Sequence, residues 1–309
     1  MKFANKYKSF LAAVLCTSVL TACSSNDKEI KTEKQSTITV TDATGEVTIP
    51  AKAERVLAPN AEDSLVALGV TPVAQWSISS DVKDYLQNTL GEIPAVEWNL
   101  PLEQAIEAEP DLIIFSSPSA VPTGQLEEYK KVAPTYVFKD EDFVDWRKQI
   151  SVLGTILGKE KEANKALSDY EKTVTTASKE IKEAIGNESV AAMWVVGGQY
   201  YLMENNRFAG NVLYGDLGIT QPKMVQKMGS ANDATWSPVS LEALADLDAD
   251  HVFLIASEGE AGITALQKSS LWTAKKHKVY ELAMDDSWTV NGKIASEKVI
   301  ADLKEILIK

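Results

Sequence analysis

The chain has 309 residues, 44 acidic against 31 basic, a formal charge of -13 and 45% apolar residues, so it is long enough for two domains with proper cores. An acidic surface of this kind repels nucleic acid and anionic lipid headgroups, and solubility alone is enough to explain it. Two histidines cannot supply the clustered imidazoles of a bare-metal site, and two cysteines cannot supply a disulfide framework.

In chain order, "MKFANKYKSFLAAVLCTSV" carries Lys2, Lys6 and Lys8 ahead of an apolar run of roughly ten residues from Phe10. This is the layout of a secretory signal over residues 1–22, too short to be a comfortable membrane span. Leu20-Thr21-Ala22-Cys23 resembles the bacterial lipobox, in which the cysteine takes a diacylglyceryl group and becomes the mature N-terminus. An ordinary residue beyond a standard cleavage site is the other reading of Cys23. Cys16 leaves with the signal, and loss of the three lysines makes the mature chain three charges more negative. A dual-acyl anchor holds stably, so the expectation is an exported protein tethered to the extracellular face of a membrane, in a Gram-positive setting. Residues 23–36, polar and without aromatics, read as a flexible tether.

From Thr37, "TITVTDATGEVTIP" alternates Val and Thr around Gly45 and predicts a hairpin. Short apolar runs then alternate with helical periodicity: "RVLAP", "AEDSLVALG", "PVAQW", "PLEQAIEAEP", "DLIIFS", "TGQLEEYKKVAP" and "TYVF". A second such series begins at Val190 and includes "SLEALADLDAD", "HVFLIAS" and "KVYELA". Between them Ala163, Leu167, Tyr170, Val174, Ala177, Ile181 and Ile185 recur at helical spacing and stop at Gly186. That predicts one helix of about 23 residues, on the order of 34 Å long, packed on both lobes as a strut. The fold expected is α/β: two Rossmann-like βα lobes at 37–160 and 187–309 with largely parallel sheets, joined by a connecting helix at 161–186.

This arrangement resembles the substrate-binding lipoproteins of iron-siderophore, haem and cobalamin ABC importers. The matching stretches are "NLPLEQAIEAEPDLIIF", "YKKVAPTYVF", "WSPVSLEALADLDADHVFL" and "LWTAKKHKVYELAMDDSW", which fall in the family's order and cover nearly all of the mature chain. The resemblance implies a ligand held in a cleft between the lobes, with no chemistry performed on it and no cofactor. It also implies a monomer delivering cargo to a two-subunit permease with a cytoplasmic ATPase. Iron as cargo would arrive as Fe(III) wrapped in a siderophore, with no metal ligand from the protein. Each lobe of such proteins offers a glutamate to permease arginines, and the matched positions are Glu103 and Glu242, both expected in the first turn of a helix. Acids in that position also simply complement the helix dipole.

The residues themselves suit a binder. No G-x-S-x-G, P-loop or G-x-G-x-x-G occurs, and His251 and His277 sit in structural or surface contexts. Arg207 falls where ferric hydroxamate binders of the family carry an arginine with aromatic neighbours, and its planar fork suits the oxygens around chelated iron. The Trp-x-Arg often found there is absent, Asn205-Asn206-Arg207-Phe208 standing in its place, which leaves a surface ion pair open for Arg207 and makes Phe208 a substitute aromatic or a core residue. Trp288 matches a second aromatic position and, with Asn291 in the following turn, reads as a loop residue of the pocket, joined by Tyr200 and Tyr201. Asn60, Trp76, Trp98, Ser116 and Ser117 sit where strands of the first lobe hand over to loops, the usual ligand-facing ends of open βα sheets. Each is equally open to a packing role. One arginine plus aromatics suits a hydroxamate chelate better than a triply anionic catecholate, although Lys223, Lys227 and Lys293 are further cations near the second lobe's loops. Another ferric chelate (catecholate, citrate), haem or a corrinoid stays open within the class. A surface adhesin, a sensor subunit or an exported hydrolase stands outside it.

Overall fold

The first hairpin pairs β1 (Thr37–Asp42) with β2 (Gly45–Pro50) across a turn in which Gly45 takes a φ of 124°. Asp42 closes this hairpin onto the next layer, its carboxylate accepting from Thr44 N at 2.6 Å and from Val137 N at 2.8 Å. The computed structural model describes residues 36–308 apart from 232–235 and 237. The signal segment, Cys23 and the tether up to residue 35 lie outside the described residues.

The first lobe runs through β3 (Val56–Leu57), α1 (Glu62–Ala67), β4 (Gln75–Ser77), α2 (Gln87–Leu90) and β5 (Ala95–Glu97). It continues through α3 (Leu102–Glu107), β6 (Leu112–Phe115), α4 (Leu126–Val132) and β7 (Thr135–Val137). Strands β3, β6 and β7 form a parallel sheet in that order, and β4 and β5 form a second parallel pair. All four residues of β6 are buried, which is why "LIIF" reads as an unbroken apolar run rather than an alternation. Its residues still divide by face. Ile113 and Phe115 join Leu57, Val137 and Tyr129 in a small core, whereas Leu112 and Ile114 join Val56 and Tyr136 in a larger one.

That larger core extends without a break into the rest of the chain through the helices that follow: α5 (Asp140–Phe143), α6 (Trp146–Ile156) and α7 (Glu160–Ile185). Helix α7 is 26 residues long, about 39 Å at helical rise, and begins one residue before the expected connecting segment. Ala163, Tyr170, Ala177 and Ile181 of the expected stripe are buried, and Gly186 ends the helix with a φ of 62°. Its close approach to α6 depends on Gly154, where a Cβ would come within 2.7 Å of the Ala163 methyl group.

Beyond α7 come β8 (Val190–Val196), β9 (Gln199–Leu202), a π-helical turn at Asn211–Asp216, α8 (Lys223–Met228), α9 (Leu241–Leu244) and β10 (His251–Ala256). Then follow α10 (Ala261–Lys268), α11 (Ser270–Thr273), β11 (Lys278–Ala283) and α12 (Lys293–Leu307). The sheet order is β11-β10-β8-β9, parallel except for β9, which returns antiparallel through Gly197 and Gly198 at φ 56° and 73°. Such a pair of left-handed glycines is the turn that matches the twist of a tight hairpin, so "VVGGQYYL" is a hairpin rather than another βα unit.

Helix α12 was not expected from sequence. It packs against α7 and against α1, bringing the C-terminus back to the first lobe. Its N-terminus has no cap of its own, since Gly292 stands at that position. Asp63 of α1 supplies one: its buried carboxylate accepts from Ile294 N at 3.1 Å and Ala295 N at 3.0 Å, and from the Tyr85 hydroxyl at 3.0 Å. A Cβ at Gly292 would overlap this carboxyl group, so the approach requires glycine. A second tie lies beside the strut, where Arg147 of α6 meets Asp216 at 2.7 Å and Tyr170 of α7 donates to the same carboxylate at 2.6 Å.

Candidate functional site

In the first lobe the loops after β3, β4, β5 and β6 gather at the carboxyl edge of the strands. Asn60 turns the chain out of β3 with a φ of 74°, a conformation that asparagine tolerates better than most residues. Glu62 holds that turn: its Oε1 accepts from Asn60 N at 3.1 Å and from Trp76 N at 2.8 Å, while its Oε2 pairs with Lys83. The Lys83 ammonium also lies 5.6 Å from the centre of the Trp76 ring. Glu62 and Lys83 are both buried, so each charge depends on the other and on these bonds.

Beside this network Asn60, Trp98, Leu100, Phe115 and Ser116 line one depression of about 20 Å³, room for roughly one water molecule. Trp98 is 61% exposed at its rim, and Leu100 holds a φ of 42°, a strained value for a leucine. Ser117 stands apart, because its hydroxyl accepts from Ala120 N at 3.1 Å and sits 2.9 Å from Ser119 Oγ, capping a short turn. The first-lobe candidates thus fall into two neighbouring groups: Asn60, Trp98 and Ser116 around the depression, and Trp76 over Lys83.

In the second lobe Arg207 is 7% exposed and donates through Nε to Glu204 Oε2 at 2.9 Å. Its guanidinium lies 4.8 Å from the centre of the Trp236 ring. Trp236 in turn sits 5.6 Å from Phe208, 5.8 Å from Tyr201 and 5.4 Å from Trp194, a continuous aromatic surface with one cation against it. Phe208 adopts a φ of 45°, so the loop between β9 and the π-helical turn is held in a costly conformation at this cluster. Asn205 and Asn206 brace the loop: the Asn206 amide exchanges two hydrogen bonds with Ala231, and Asn205 Oδ1 accepts from the Ser230 hydroxyl. Trp194 and Trp236 were not singled out from sequence. Trp194 lies within a strand that reads as core, and Trp236 stands at the start of the stretch "WSPVSLEALADLDADHVFL" with no local signal of its own.

Two expected pocket residues belong to the core instead. Trp288 is 1% exposed, stacks on Phe253 at 5.3 Å and donates its indole N–H to Asp302 of α12 at 2.9 Å. Tyr200 is buried with its hydroxyl donating to the Gly262 carbonyl at 2.8 Å. Asn291 is exposed in the turn that precedes α12. Lys293 is paired with Glu297 at 2.6 Å, and Lys223 and Lys227 are exposed.

Neither histidine is arranged for catalysis. His251 is buried between Tyr280 and Glu188, and His277 hydrogen-bonds the Ala249 carbonyl through Nδ1. Among the described residues no group of three or more His, Cys, Asp or Glu side chains is placed to hold a metal ion. Aromatic faces, hydroxyls and two carboxylate-compensated cations are equipment for holding a ligand through flat contacts and a few oriented donors. Glu103 and Glu242 are exposed in the first turns of α3 and α9, and the Ser240 hydroxyl caps the latter helix.

A family model described as "Periplasmic binding protein" matches residues 55–285. The chain is 24% identical over 298 residues to the "Iron(3+)-hydroxamate-binding protein YxeB" of Bacillus subtilis, covering 94% of this chain and 91% of that one. Among solved structures it resembles Staphylococcus aureus SirA complexed with staphyloferrin B, with a TM-score of 0.70 and 25% identity over 87% of this chain and 97% of the other. It also resembles Staphylococcus aureus FhuD2 with bound ferrioxamine B, with a TM-score of 0.67 and 25% identity over 82% of this chain and 98% of the other.

Proposed function

The chain belongs to the periplasmic binding protein family, and we propose that it captures a ferric siderophore of the hydroxamate type and delivers it to an ABC permease for iron uptake. It acts as a binder and not as an enzyme. The cleft surfaces are the first-lobe group of Asn60, Trp76, Trp98 and Ser116 and the second-lobe group of Arg207, Phe208, Tyr201 and Trp236.

The observation that carries the choice of ligand is the pairing of Arg207 with Glu204 inside an aromatic cluster. Lys83 is compensated in the same way by Glu62. A tris-catecholate iron complex brings about three negative charges and needs uncompensated cations, because desolvating a charge without a partner is costly. A neutral or singly charged trihydroxamate needs flat apolar contact and a few donors, which this surface offers. Tryptophan fluorescence titration against ferrichrome, ferrioxamine B, a ferric tris-catecholate, ferric staphyloferrin B and haem tests the reading. Tightest binding to a trihydroxamate, by about tenfold or more, is expected; tighter binding of an anionic chelate or of haem overturns it.

Residues 1–22 are removed on export, and the mature monomer is held at the outer face of the membrane through lipid on Cys23, with residues 23–36 as leash. Cys23→Ser should release the protein into the medium. Glu103 and Glu242 register the binder over a two-subunit permease, which works with a cytoplasmic ATPase. Exposed ion pairs suit registration better than tight docking.

A further inference from the structure

A groove of about 680 Å³ runs along the surface between α3 and α4. Leu102, Ile106, Pro110 and Val132 give it an apolar floor, and Ile106 is 53% exposed within this apolar patch. Ile106 lies three residues after Glu103 on the same short helix and therefore on the same face.

The charges around the groove are unbalanced. Lys130 and Lys131 of α4 are already paired with Glu127 at 2.8 Å and Glu128 at 2.7 Å. Arg55 engages the carbonyl oxygens of Ala108 and Glu109 with its guanidinium. Glu103, Glu107 and Glu109 are exposed, and among the described residues none takes part in an ion pair. Among the described residues α9 offers no matching apolar side chain: it carries Glu242, but the position three residues on is Ala245, only partly exposed, where the first lobe has Ile106.

We infer that the α3–α4 groove is an apolar seat for an extracellular loop of the permease, one that presents an aliphatic or aromatic side chain flanked by arginine or lysine. This rests on the transport reading and adds to it a reason for orientation. Two lobes that each offer one glutamate could dock on a two-subunit permease in either sense. A seat on one lobe alone distinguishes them, and desolvated apolar contact with a charged rim is the usual anatomy of a specific patch.

The test uses cells in which the wild-type gene supports radioiron uptake from ferrichrome or ferrioxamine B, whichever is imported. Ile106→Glu should lower uptake about tenfold or more while fluorescence titration of the purified protein gives unchanged chelate affinity and circular dichroism an unchanged melt. Ile106→Val should import normally. Uptake by Ile106→Glu at the wild-type rate overturns the seat. A Glu103→Ala/Glu242→Ala double variant, assayed in parallel, separates the two ideas. If it loses uptake while Ile106→Glu retains it, docking through the glutamates stands and the groove is not used. If it imports normally, the two glutamates are ordinary helix-start residues, and the seat stands or falls on Ile106→Glu alone. If neither chelate supports uptake through the wild-type protein, the transport reading fails and the seat falls with it.

Discussion

Arg207, proposed above as a ligand contact, is satisfied without a ligand. Glu204 compensates its charge and the Trp236 ring covers one face, so the planar fork is held ready. Truncation to alanine should weaken chelate binding by about 1.5 to 3 kcal/mol, the range for hydrogen bonds to a charged group. Lysine should fall between the two, because it keeps the charge and loses the fork. Fluorescence titration with ferrichrome and ferrioxamine B checks both, and unchanged affinity in Arg207→Ala would remove the residue from the site. Trp288 carries the opposite expectation. With a stacked neighbour, a bonded indole and almost no exposure, Trp288→Ala should cost about 3 to 5 kcal/mol of folding stability in denaturant titration, and the ligand-dependent quenching should persist in protein that remains folded. Its polar surroundings, "DDSWTVNG", suggested a loop at the cleft. Those neighbours instead bond to one another and to the first lobe, with Ser287 donating to Asp285 and Asp84 N donating to Asp286, so a polar stretch encloses a buried ring.

At the scale of elements, the capping of α12 from α1 is the feature with the clearest energetic consequence. Asp63 satisfies backbone donors that a glycine cap leaves without a side-chain partner, and loss of a cap costs about 0.5 to 2 kcal/mol. Asp63→Ala should destabilise the protein by at least that much, and Gly292→Ala should do so by forcing the carboxylate away. Burial pushes the Asp63 carboxyl above the usual aspartate range, although the Ala295, Ile294 and Tyr85 donors pull it back in part. A folded-state value above the unfolded one means that the folded chain binds this proton more tightly. The Asp63 contribution therefore grows as pH falls through the raised value and is least favourable well above it. Asp63→Asn, which keeps an acceptor and never ionises, should be milder than Asp63→Ala at every pH, and the cost of either relative to wild type should shrink toward alkaline pH. Urea denaturation across the pH range measures the difference. Equal losses for the two variants would mean that the cap is immaterial.

For the whole molecule, the two lobes share more than one connection. Helix α7 packs on α6 and α1 on one side and on α12 on the other, and the Arg147–Asp216 and Asp63–α12 ties bracket it. Wide hinge closure would have to break these together, in contrast to proteins whose lobes hang on flexible strands. Ligand binding should therefore leave the radius of gyration in solution scattering nearly unchanged, and a domain-scale contraction would contradict the strut. Delivery should depend on the exposed glutamates of α3 and α9. Glu103→Ala/Glu242→Ala should abolish uptake while chelate affinity and melting temperature stay near wild type.

The sequence by itself determined the elements whose residues face one kind of surrounding along their length. The buried run of β6, the Val–Thr alternation of β1 and β2 and the 3.6-residue stripe of α7 each write their environment into local periodicity, and from these the two βα lobes and the strut were legible. Local sequence also placed Asn60, Trp76, Trp98, Ser116 and Ser117 at strand ends, but which of them share a surface was not legible: Asn60, Trp98 and Ser116 line one depression, while Ser117 caps a turn. Only the tertiary structure decided the rest. Whether an aromatic is core or cleft depends on which distant element covers it: α12 reaches Trp288 through Asp302, whereas Trp236 is brought against Arg207 by packing between separate loops. The cap of α12 lies more than two hundred residues away in α1. No short window of sequence contains Asp63 and the start of α12 together, and the energy that selects such a pair comes from burying its partners together.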